Sequence, residues 1–425
     1  MPSDALVSFH TLKPGLLFAS SAVLTVVALH FPPKLHRFFL VPTWALAAWS
    51  IAAVTDEVTP KAGVLANLDT YTVITSFLYV LILPTILLVE SHSLVQGQDE
   101  RAAKGCKSHG FVWPSRGTIS AACRVWNNPR NLVFPRPPSP GSVPWSSLLR
   151  FALFRGLKVM SIILVDHWVV QRAQQYLLSR SDLLDFTPDQ HQTIRPVLAQ
   201  FVFSDSKGRY EPLTSHVLQL RAFMSVSWIW ANFAAVETFQ AGLSVLFVVV
   251  LHLDDPEDWP PLFGSFAEAW SVRRFWGRFW HRIATPTLTR WALLCVKGRW
   301  GKPRTALEKT TVAFGVFILS GVMHATAAWR TGQKFAGRDV WFFSANFLVI
   351  AVEIIVSWLY KRVLKGSKLH EAISTSPFLS AATRTLGFIW VFAWFFWAVP
   401  RWLYPNTLRM LIKEALIQAR SSRFV

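Results

Sequence analysis

Long apolar stretches, separated by short polar or basic segments, dominate this chain. A helix needs roughly 20 mainly apolar residues to cross about 30 Å of hydrocarbon. The stretches that approach this length are 16–31, 38–54, 72–89, 217–235, 238–253, 311–329, 340–364 and 385–404. The pattern predicts an all-α fold, a polytopic transmembrane bundle of about eight spans, with residues 1–425 forming one integral-membrane domain.

A ninth apolar stretch, 151–170, is interrupted by ionisable residues, and the distribution of basic residues bears on whether it crosses. Basic loops tend to face the cytosol. Eight Lys or Arg lie in 91–150, and nine, with no acid, lie in 271–304. Both stretches face the same side only if an even number of crossings separates them. Because 217–235 and 238–253 already supply two, 151–170 is interpreted as an interfacial or buried helix.

Composition supports the membrane interpretation. Hydrophobic residues make up 52% of the chain and charged residues 16%, whereas soluble domains carry about 25% charged residues. The formal net charge is +19, which the positive-inside rule explains better than nucleic-acid binding in so apolar a chain. Three cysteines without a CxxC pattern predict neither a disulfide framework nor a metal site.

Several common catalytic signatures are missing from the sequence. No histidine is followed by aspartate four or five residues later, and the patterns GxSxG, GxxxxGK and GxGxxG do not occur. These absences argue against acyltransferases built on a His–Asp pair, serine hydrolases, nucleoside triphosphatases and dinucleotide oxidoreductases.

The first stretch with candidate chemistry is 259–282. Read as a helix from about Ser271, it gathers apolar residues on one face: Val272, Phe275, Trp276, Phe279, Trp280 and Ile283. The opposite face carries Arg274, Arg278 and His281. A basic amphipathic helix of this kind commonly lies in a membrane interface. The alternative is that its polar face holds an anionic ligand while His281 points at a reaction centre.

The second stretch is 314–331, where His324 lies in an otherwise apolar span. An ionisable residue inside a membrane helix is costly and is a functional candidate by default. The residues one helical turn away are small: Ser320, Gly321, Ala327 and Ala328. This face either packs closely on another helix or leaves room for a ligand. A histidine bonded to a neighbouring carbonyl is the structural alternative.

Taken together, the two stretches resemble the wax synthase branch of the membrane-bound O-acyltransferase superfamily. The matching residues are Pro261-Leu-Phe-Gly264, Ser271, Phe275-Trp276-Gly277-Arg278-Phe279-Trp280-His281 and Ser320-Gly321-Val-Met-His324. The resemblance is strong over 250–330, the core motif region. It is looser over 111–131, which contains Trp113, Arg116-Gly117 and Trp126-Asn-Asn-Pro-Arg130. Length and aromatic content are similar to fungal members that acetylate secondary metabolites. The family often has arginine where Phe279 stands.

The resemblance implies a membrane-embedded, acyl-CoA-dependent O-acyltransferase. It implies acetyl-CoA or another acyl-CoA as cosubstrate, no permanently bound cofactor, and His324 as the catalytic residue within the membrane. His281 is the candidate for carbonyl polarisation or CoA orientation, and Ser320 and Gly321 are candidates for substrate binding. The residues predicted to hold the anionic CoA moiety are Arg273, Arg274, Arg278, Trp280, Lys297 and Arg299.

The expected acceptor is a hydrophobic alcohol, a terpenoid or a polyketide, within the lipid bilayer of the endoplasmic reticulum. A long-chain alcohol, which would give a wax ester, is one alternative. A transporter of an amphipathic solute is an alternative of a different class, and it draws on His324 and Glu353 as intramembrane ionisable residues.

Overall fold

The structure is a computed structural model. It describes residues 9–54, 68–89, 115–130, 132, 143–187, 214–298, 303, 305–364, 367 and 375–421. Every regular element among these residues is a helix or a helical turn, so the all-α prediction is confirmed.

The described residues form twelve α-helices, and the longer of these follow the apolar segments. The first six are α1 (Phe9–Ala28), α2 (Pro33–Ala53), α3 (Leu68–Pro84), α4 (Arg116–Trp126), α5 (Trp145–Val165) and α6 (Gln171–Leu178). The next six are α7 (Ser215–Val245), α8 (Val272–Arg274), α9 (Thr285–Lys297), α10 (Ala306–Arg330), α11 (Gly337–Leu364) and α12 (Pro377–Ser421). Wider π-helical turns extend four of them: Thr85–Val89 after α3, Asp166–Val170 after α5, Leu246–Val250 after α7 and Phe275–Phe279 after α8.

The chain divides into two compact units. The first unit comprises Met1–Lys158, Phe239–Leu262 and Arg282–Ala336, and the second comprises Val159–Thr238, Phe263–His281 and Gly337–Val425. The core motif region is therefore divided between them, with His324 in the first unit and His281 in the second. The single-domain organisation stays a prediction.

Five helices in the described part of the chain are long and apolar enough to cross a membrane, which supports an integral membrane protein. They are Leu68–Val89, Ser215–Val250, Ala306–Arg330, Gly337–Val363 and Pro377–Lys413. The predicted spans 16–31 and 38–54 fall on α1 and α2, which are helical but are not among the five.

The prediction of two separate spans at 217–235 and 238–253 is wrong, because α7 and its π turn form one unbroken helix from Ser215 to Val250. The break in hydropathy comes from Glu237, which is only 2% exposed. Protein packing accommodates this carboxyl inside the helix, so no turn is needed there.

The ninth candidate, 151–170, falls on α5 and its π turn. The alternative of a buried helix is wrong, because Leu153 and Phe154 are each 60% exposed and Met160 is 55% exposed. This helix is not among the five that are long and apolar enough to cross a membrane, and its interfacial position stays a prediction.

Helix α12 continues through Pro400 and Pro405, beyond the predicted end of the last span at 404. A proline has no N–H, so it leaves the carbonyl four residues earlier without its helical donor. Two arginines supply those donors. Arg221 donates to the Phe396 carbonyl at 3.3 Å, and Arg338 donates to the Arg401 carbonyl. These bonds explain why the helix does not end at either proline.

Candidate active site

The motif stretch folds into short turns rather than one long helix. Ser271 caps α8 by accepting the Arg274 N–H at 3.2 Å, and the π turn that follows ends at Phe279. Trp280 is already extended, with φ −65° and ψ 144°. The helix predicted to run to Ile283 is therefore too long, and His281 lies beyond its end rather than on its basic face.

The apolar face of this turn is covered by protein. Val272 is 0%, Phe275 1% and Phe279 7% exposed. The ring of Phe275 lies 4.8 Å from that of Phe395 and 6.2 Å from that of Trp228, both in the second unit. The interpretation of this element as a membrane-surface anchor is therefore wrong, because its apolar side packs inside the unit.

Gly264 joins the beginning of the motif to its end. Its N–H donates to the Phe279 carbonyl at 2.8 Å. A Cβ at position 264 would overlap the backbone carbonyl of Arg278. Only glycine permits this approach of two backbones, so residue 264 fixes the loop that ends at His281.

Polar side chains at seven-residue intervals on α11 support the motif. Asp339, Asn346 and Glu353 share one helix face. They accept indole N–H bonds from α12: Trp402 to Asp339 at 3.0 Å, Trp394 to Asn346 at 2.9 Å and Trp390 to Glu353 at 2.8 Å. These indole bonds stabilise the polar groups that α11 carries through an apolar layer.

Glu353 and Asn346 also bind the motif directly. The Glu353 carboxylate accepts the backbone N–H of Val272 at 2.8 Å and of Arg273 at 2.9 Å. Asn346 accepts the indole N–H of Trp276 at 3.0 Å. Sequence reasoning did not assign either residue to the motif, although their polar character inside an apolar helix was a signal. These bonds give Glu353 a structural role, which removes one support for the transporter alternative.

The predicted CoA-binding arginines of the motif lie together in the second unit. Glu268 binds the guanidinium groups of both Arg274 and Arg278. The Arg274 guanidinium also lies over the Trp270 ring, 4.3 Å from its centroid. Arg273 is exposed. This arrangement presents a basic surface with fixed geometry.

The other residues predicted to hold CoA have different surroundings. Lys297 forms an ion pair with Glu308 at 2.6 Å, and Glu308 belongs to the capping box of α10. Phosphate binding by Lys297 would require this pair to break. Arg299 lies outside the described residues. Trp280 is 9% exposed, with its ring against Phe275 and Trp228, so its observed contacts are those of packing.

Two aromatic rings hold His281. Its imidazole lies 5.3 Å, ring centre to ring centre, from both Phe263 and Trp280. The Phe263 contact is edge-on and the Trp280 contact is tilted. The imidazole orientation is thus set by packing, a requirement for any group that must meet a substrate at a fixed angle.

His324 lies on α10 in the first unit and is partly buried. The neighbouring Met323 packs into the core cluster of α3 with Tyr79, and Ala327 packs against Val54 and Val73. Gly321 is buried, whereas Ser320 is partly buried. The small residues at 321 and 327 thus serve close packing, while Ser320 and His324 keep part of their surface accessible.

Helix α4, which lies in the region of looser resemblance, forms hydrogen bonds to the segment that precedes the motif in the sequence. Arg116, Ser120 and Arg124 occur at four-residue intervals on one face of α4. Arg116 donates to the Leu251 carbonyl at 2.9 Å, and Ser120 donates to the Leu253 carbonyl. Farther along, Arg130 donates to Pro261 at 3.1 Å, Arg155 to Trp259 at 2.6 Å and Gln240 to Pro260 at 2.8 Å. Residues 251–261, hereafter the anchored loop, are fixed along their length.

The electrostatic centre of the anchored loop is Arg124. It is 6% exposed and contacts three carboxylates: Asp255 at 3.1 Å, Asp254 at 3.7 Å and Asp258. Burial, and then repulsion from Asp258, raises the pKa of the Asp254 carboxyl to about 6, although the Trp259 indole bond and Arg124 oppose this shift. One guanidinium therefore stabilises more negative charge than it carries.

Replacing Arg124 with glutamine is expected to destabilise the protein strongly, by about 3–5 kcal/mol, because buried carboxylates lose their counter-charge. The folded protein retains the Asp254 proton up to about pH 6, whereas an unperturbed carboxyl releases it near 3.8. The folded state thus binds more protons at Asp254 between these values, and the contribution of Asp254 to stability rises as pH falls from 7 towards 4. Thermal unfolding in detergent at pH 7.5 and 5.5 should show part of the loss recovered at the lower pH. Arg116→Gln, which removes one exposed bond, is the control, and equal melting temperatures for the two variants would contradict the role of Arg124.

Comparison with known proteins supports the resemblance that the motifs indicate. Residues 259–345 match the sequence model of the Membrane bound O-acyl transferase family. The chain is 32% identical over 189 residues to Acetyltransferase spyB of Aspergillus fumigatus, covering 43% of this chain and 32% of that protein. It is 31% identical to Acetyltransferase atnC of Arthrinium sp, with coverage of 49% and 46%. It is 28% identical to Acetyltransferase TRI7 of Fusarium sporotrichioides, with coverage of 43% and 41%.

The matched regions span less than half the length of these relatives. No solved structure matches the chain. The resemblance predicted from the motifs is confirmed, and the family match contains all of the second unit's motif and His324.

Proposed function

We propose that the protein is a membrane-bound O-acetyltransferase that transfers the acetyl group of acetyl-CoA to a hydroxyl of a hydrophobic alcohol. The observation that carries the proposal is the family match over 259–345, together with several relatives that are named acetyltransferases. The match contains both candidate histidines and the arginines beside Glu268. A transporter requires neither the match nor this arrangement.

In the proposed reaction, the alcohol oxygen attacks the thioester carbonyl carbon while the His324 imidazole accepts the hydroxyl proton. The tetrahedral intermediate then collapses, the C–S bond breaks, and the coenzyme leaves as a thiolate that takes up the proton from the His324 imidazolium, which restores the neutral base. An apolar surrounding disfavours the charged form of an imidazole, so His324 is suited to begin as a neutral base. General-base catalysis of this kind contributes roughly 10²–10⁴-fold.

His281 is proposed to orient or polarise the thioester carbonyl. Negative charge develops on that oxygen during attack, and a donor held in place beforehand stabilises it. The packing of the imidazole against Phe263 and Trp280 supports this role, because the ring needs little reorganisation. Arg274 and Arg278 are proposed to hold the phosphates of the coenzyme, with Arg273 nearby on the same turn.

The acceptor is proposed to be a terpenoid or polyketide alcohol that reaches the site from the membrane, in the endoplasmic reticulum. Support comes from the small acyl group in the relatives' names and from a chain whose active region lies beside apolar spans. Ser320 remains partly accessible next to His324 and is the proposed acceptor contact. A long-chain alcohol is a second acceptor class to be included in any test.

Membranes that contain the protein should be incubated with acetyl-labelled acetyl-CoA and a panel of alcohols: hydroxylated terpenoids, polyketides and fatty alcohols. The expected result is labelled ester identified by mass spectrometry, with free coenzyme released in equal amount. Movement of solute across vesicles without ester formation would support a transporter instead.

Replacing His281 with alanine is expected to lower kcat by about 10²–10³-fold, the usual cost of losing one donor to a developing oxyanion. KM for acetyl-CoA should change much less. The measurement is a steady-state titration of acetyl-CoA with purified protein. His167→Ala, which removes an exposed histidine next to Trp168, serves as the control. If only KM rises, His281 binds the donor and does not act in the chemical step.

A further inference from the structure

The carboxylate of Glu268 occupies the position at which an anionic ligand of the motif arginines would bind. Its Oε2 atom contacts Arg278 Nη1 at 2.9 Å and also binds Arg274 Nη2. A single carboxylate oxygen thus bridges two guanidinium groups, the arrangement in which a phosphate oxygen is commonly held. Arg278 is 61% exposed and Glu268 is 39% exposed, so solvent and solutes reach the pair.

The position of Arg274 does not depend on that carboxylate alone. Its Nε–H donates to the backbone carbonyl of Glu268 at 3.1 Å, and its guanidinium lies 4.3 Å from the centroid of the Trp270 ring. Trp270 is in turn fixed by α12, where a Cβ at Gly387 would overlap the Trp270 carbonyl. If the Glu268 carboxylate rotated away, Arg274 would stay in place with its terminal N–H groups available to another anion.

Positive charge exceeds negative charge around this pair. Arg384, an exposed residue of α12 one turn before Gly387, acts electrostatically on Arg274. The pKa of the Arg274 guanidinium is lowered by burial and then by repulsion from Arg278 and Arg384. Glu268 is bound by both Arg274 and Arg278, so two guanidinium groups share one counter-charge. A ligand with several negative charges would relieve that repulsion better than one carboxylate does.

We propose that Glu268 is a resident counter-ion in a phosphate-binding site formed by Arg274 and Arg278, and that a phosphate group of the acyl donor displaces it. The proposal rests on the proposed function for the identity of the donor. It assigns Glu268, which the motif resemblance does not include, to the site, and Arg384 adds positive charge that acts on Arg274.

The exchange has a consequence for turnover. Each binding event must break the two bonds of Glu268, so the carboxylate lowers the affinity for donor and product alike. Re-formation of those bonds accelerates departure of the product coenzyme, which carries the same phosphates as the substrate. Glu268 is thus a residue that sets the balance between binding and release.

The test is the affinity of detergent-purified protein for adenosine 3′,5′-bisphosphate, which carries phosphates of the coenzyme but no acyl group. Glu268→Gln is expected to bind it about fivefold more tightly, within the range measured for single ion pairs. The increase should shrink as salt concentration rises. Glu257→Gln makes the same chemical change at an exposed residue of the anchored loop and should bind as the wild type does.

A double-mutant cycle distinguishes two roles of Glu268: competition with the phosphate for the arginines, and positioning of those arginines before the phosphate binds. Arg278→Gln should weaken binding, and Glu268→Gln should give a smaller gain in that background, because one of the two contested guanidinium groups is gone. Arg384→Gln should weaken binding of the bisphosphate without changing the melting temperature. Monodisperse elution and unchanged melting establish that each variant is folded.

Weaker or unchanged binding by Glu268→Gln overturns the proposal, since it would mean that the carboxylate organises the arginines rather than competing for them. The binding measurement involves no acyl transfer. Absence of ester formation in the membrane assay would therefore refute the proposed function and leave the phosphate site standing. Failure of the binding test alone would leave the proposed function standing.

Discussion

Replacing His324 with alanine is expected to abolish acetyl transfer while the protein remains folded and inserted in the membrane. The imidazole is the proposed acceptor of the hydroxyl proton, and its removal leaves a neutral alcohol to attack unaided. The loss should be about 10²–10⁴-fold in kcat. The side chain is partly buried on α10 beside Met323, which packs into the core, so folding of the variant must be measured together with its activity.

The measurement is the rate of ester formation per mole of folded protein, with folding checked by monodisperse elution and melting temperature. Thr326→Ala is the matched control on the same helix, because its hydroxyl donates to the Val322 carbonyl one turn earlier. Turnover by the His324 variant within a fewfold of the wild type would remove this residue from the chemistry.

Replacing Gly264 with alanine is expected to reduce acetyl transfer to near the detection limit and to lower the melting temperature. The added methyl group would overlap the Arg278 carbonyl, which is backbone and cannot move without shifting the turn. Any relief lengthens the bond from Gly264 N–H to Phe279 O and displaces the residues just before His281. Overpacking of this type commonly costs about 1–3 kcal/mol.

Gly277→Ala is the control for this prediction, because it makes the same change within the same turn. A Cβ at position 277 meets nothing within 4 Å. That variant should retain activity and stability close to those of the wild type. Equal activity in the two glycine variants would contradict the claim that the close backbone approach at 264 positions the site.

The sequence predicted the architecture well where hydropathy is the dominant signal. Four of the five apolar helices correspond to single predicted spans, at 72–89, 311–329, 340–364 and 385–404. The fifth was divided at Glu237, because a hydropathy plot assigns a carboxyl to water whereas the fold buries it. Hydropathy also could not show that α12 continues past Pro405, since Arg338, far away in sequence, supplies a donor to the Arg401 carbonyl.

The motif residues could be identified from the sequence, but the residues that hold the motif in place could not. A periodic pattern could not anticipate that the turn widens at Phe275 and ends at Phe279, which places His281 outside the helix. Glu353 lies 81 positions from Val272, whose N–H it binds. Such contacts appear only in the folded chain, because they depend on which helices become neighbours.

The same contacts bear on the choice between enzyme and transporter. The transporter alternative drew on two ionisable residues inside the membrane. Glu353 proves to bind two backbone N–H groups and an indole, so its location is explained by structure. His324 remains the intramembrane ionisable group on which the catalytic proposal depends.

The most direct test of acetyl transfer by His324 is a parallel assay of purified wild-type and His324→Ala protein with acetyl-labelled acetyl-CoA and an acceptor alcohol found in the membrane screen. Labelled ester and released coenzyme are measured in the same samples. The predicted result is equal amounts of both from the wild type and neither from the variant. Ester formation by the variant at a rate near that of the wild type, or coenzyme release without ester from the wild type, would contradict it.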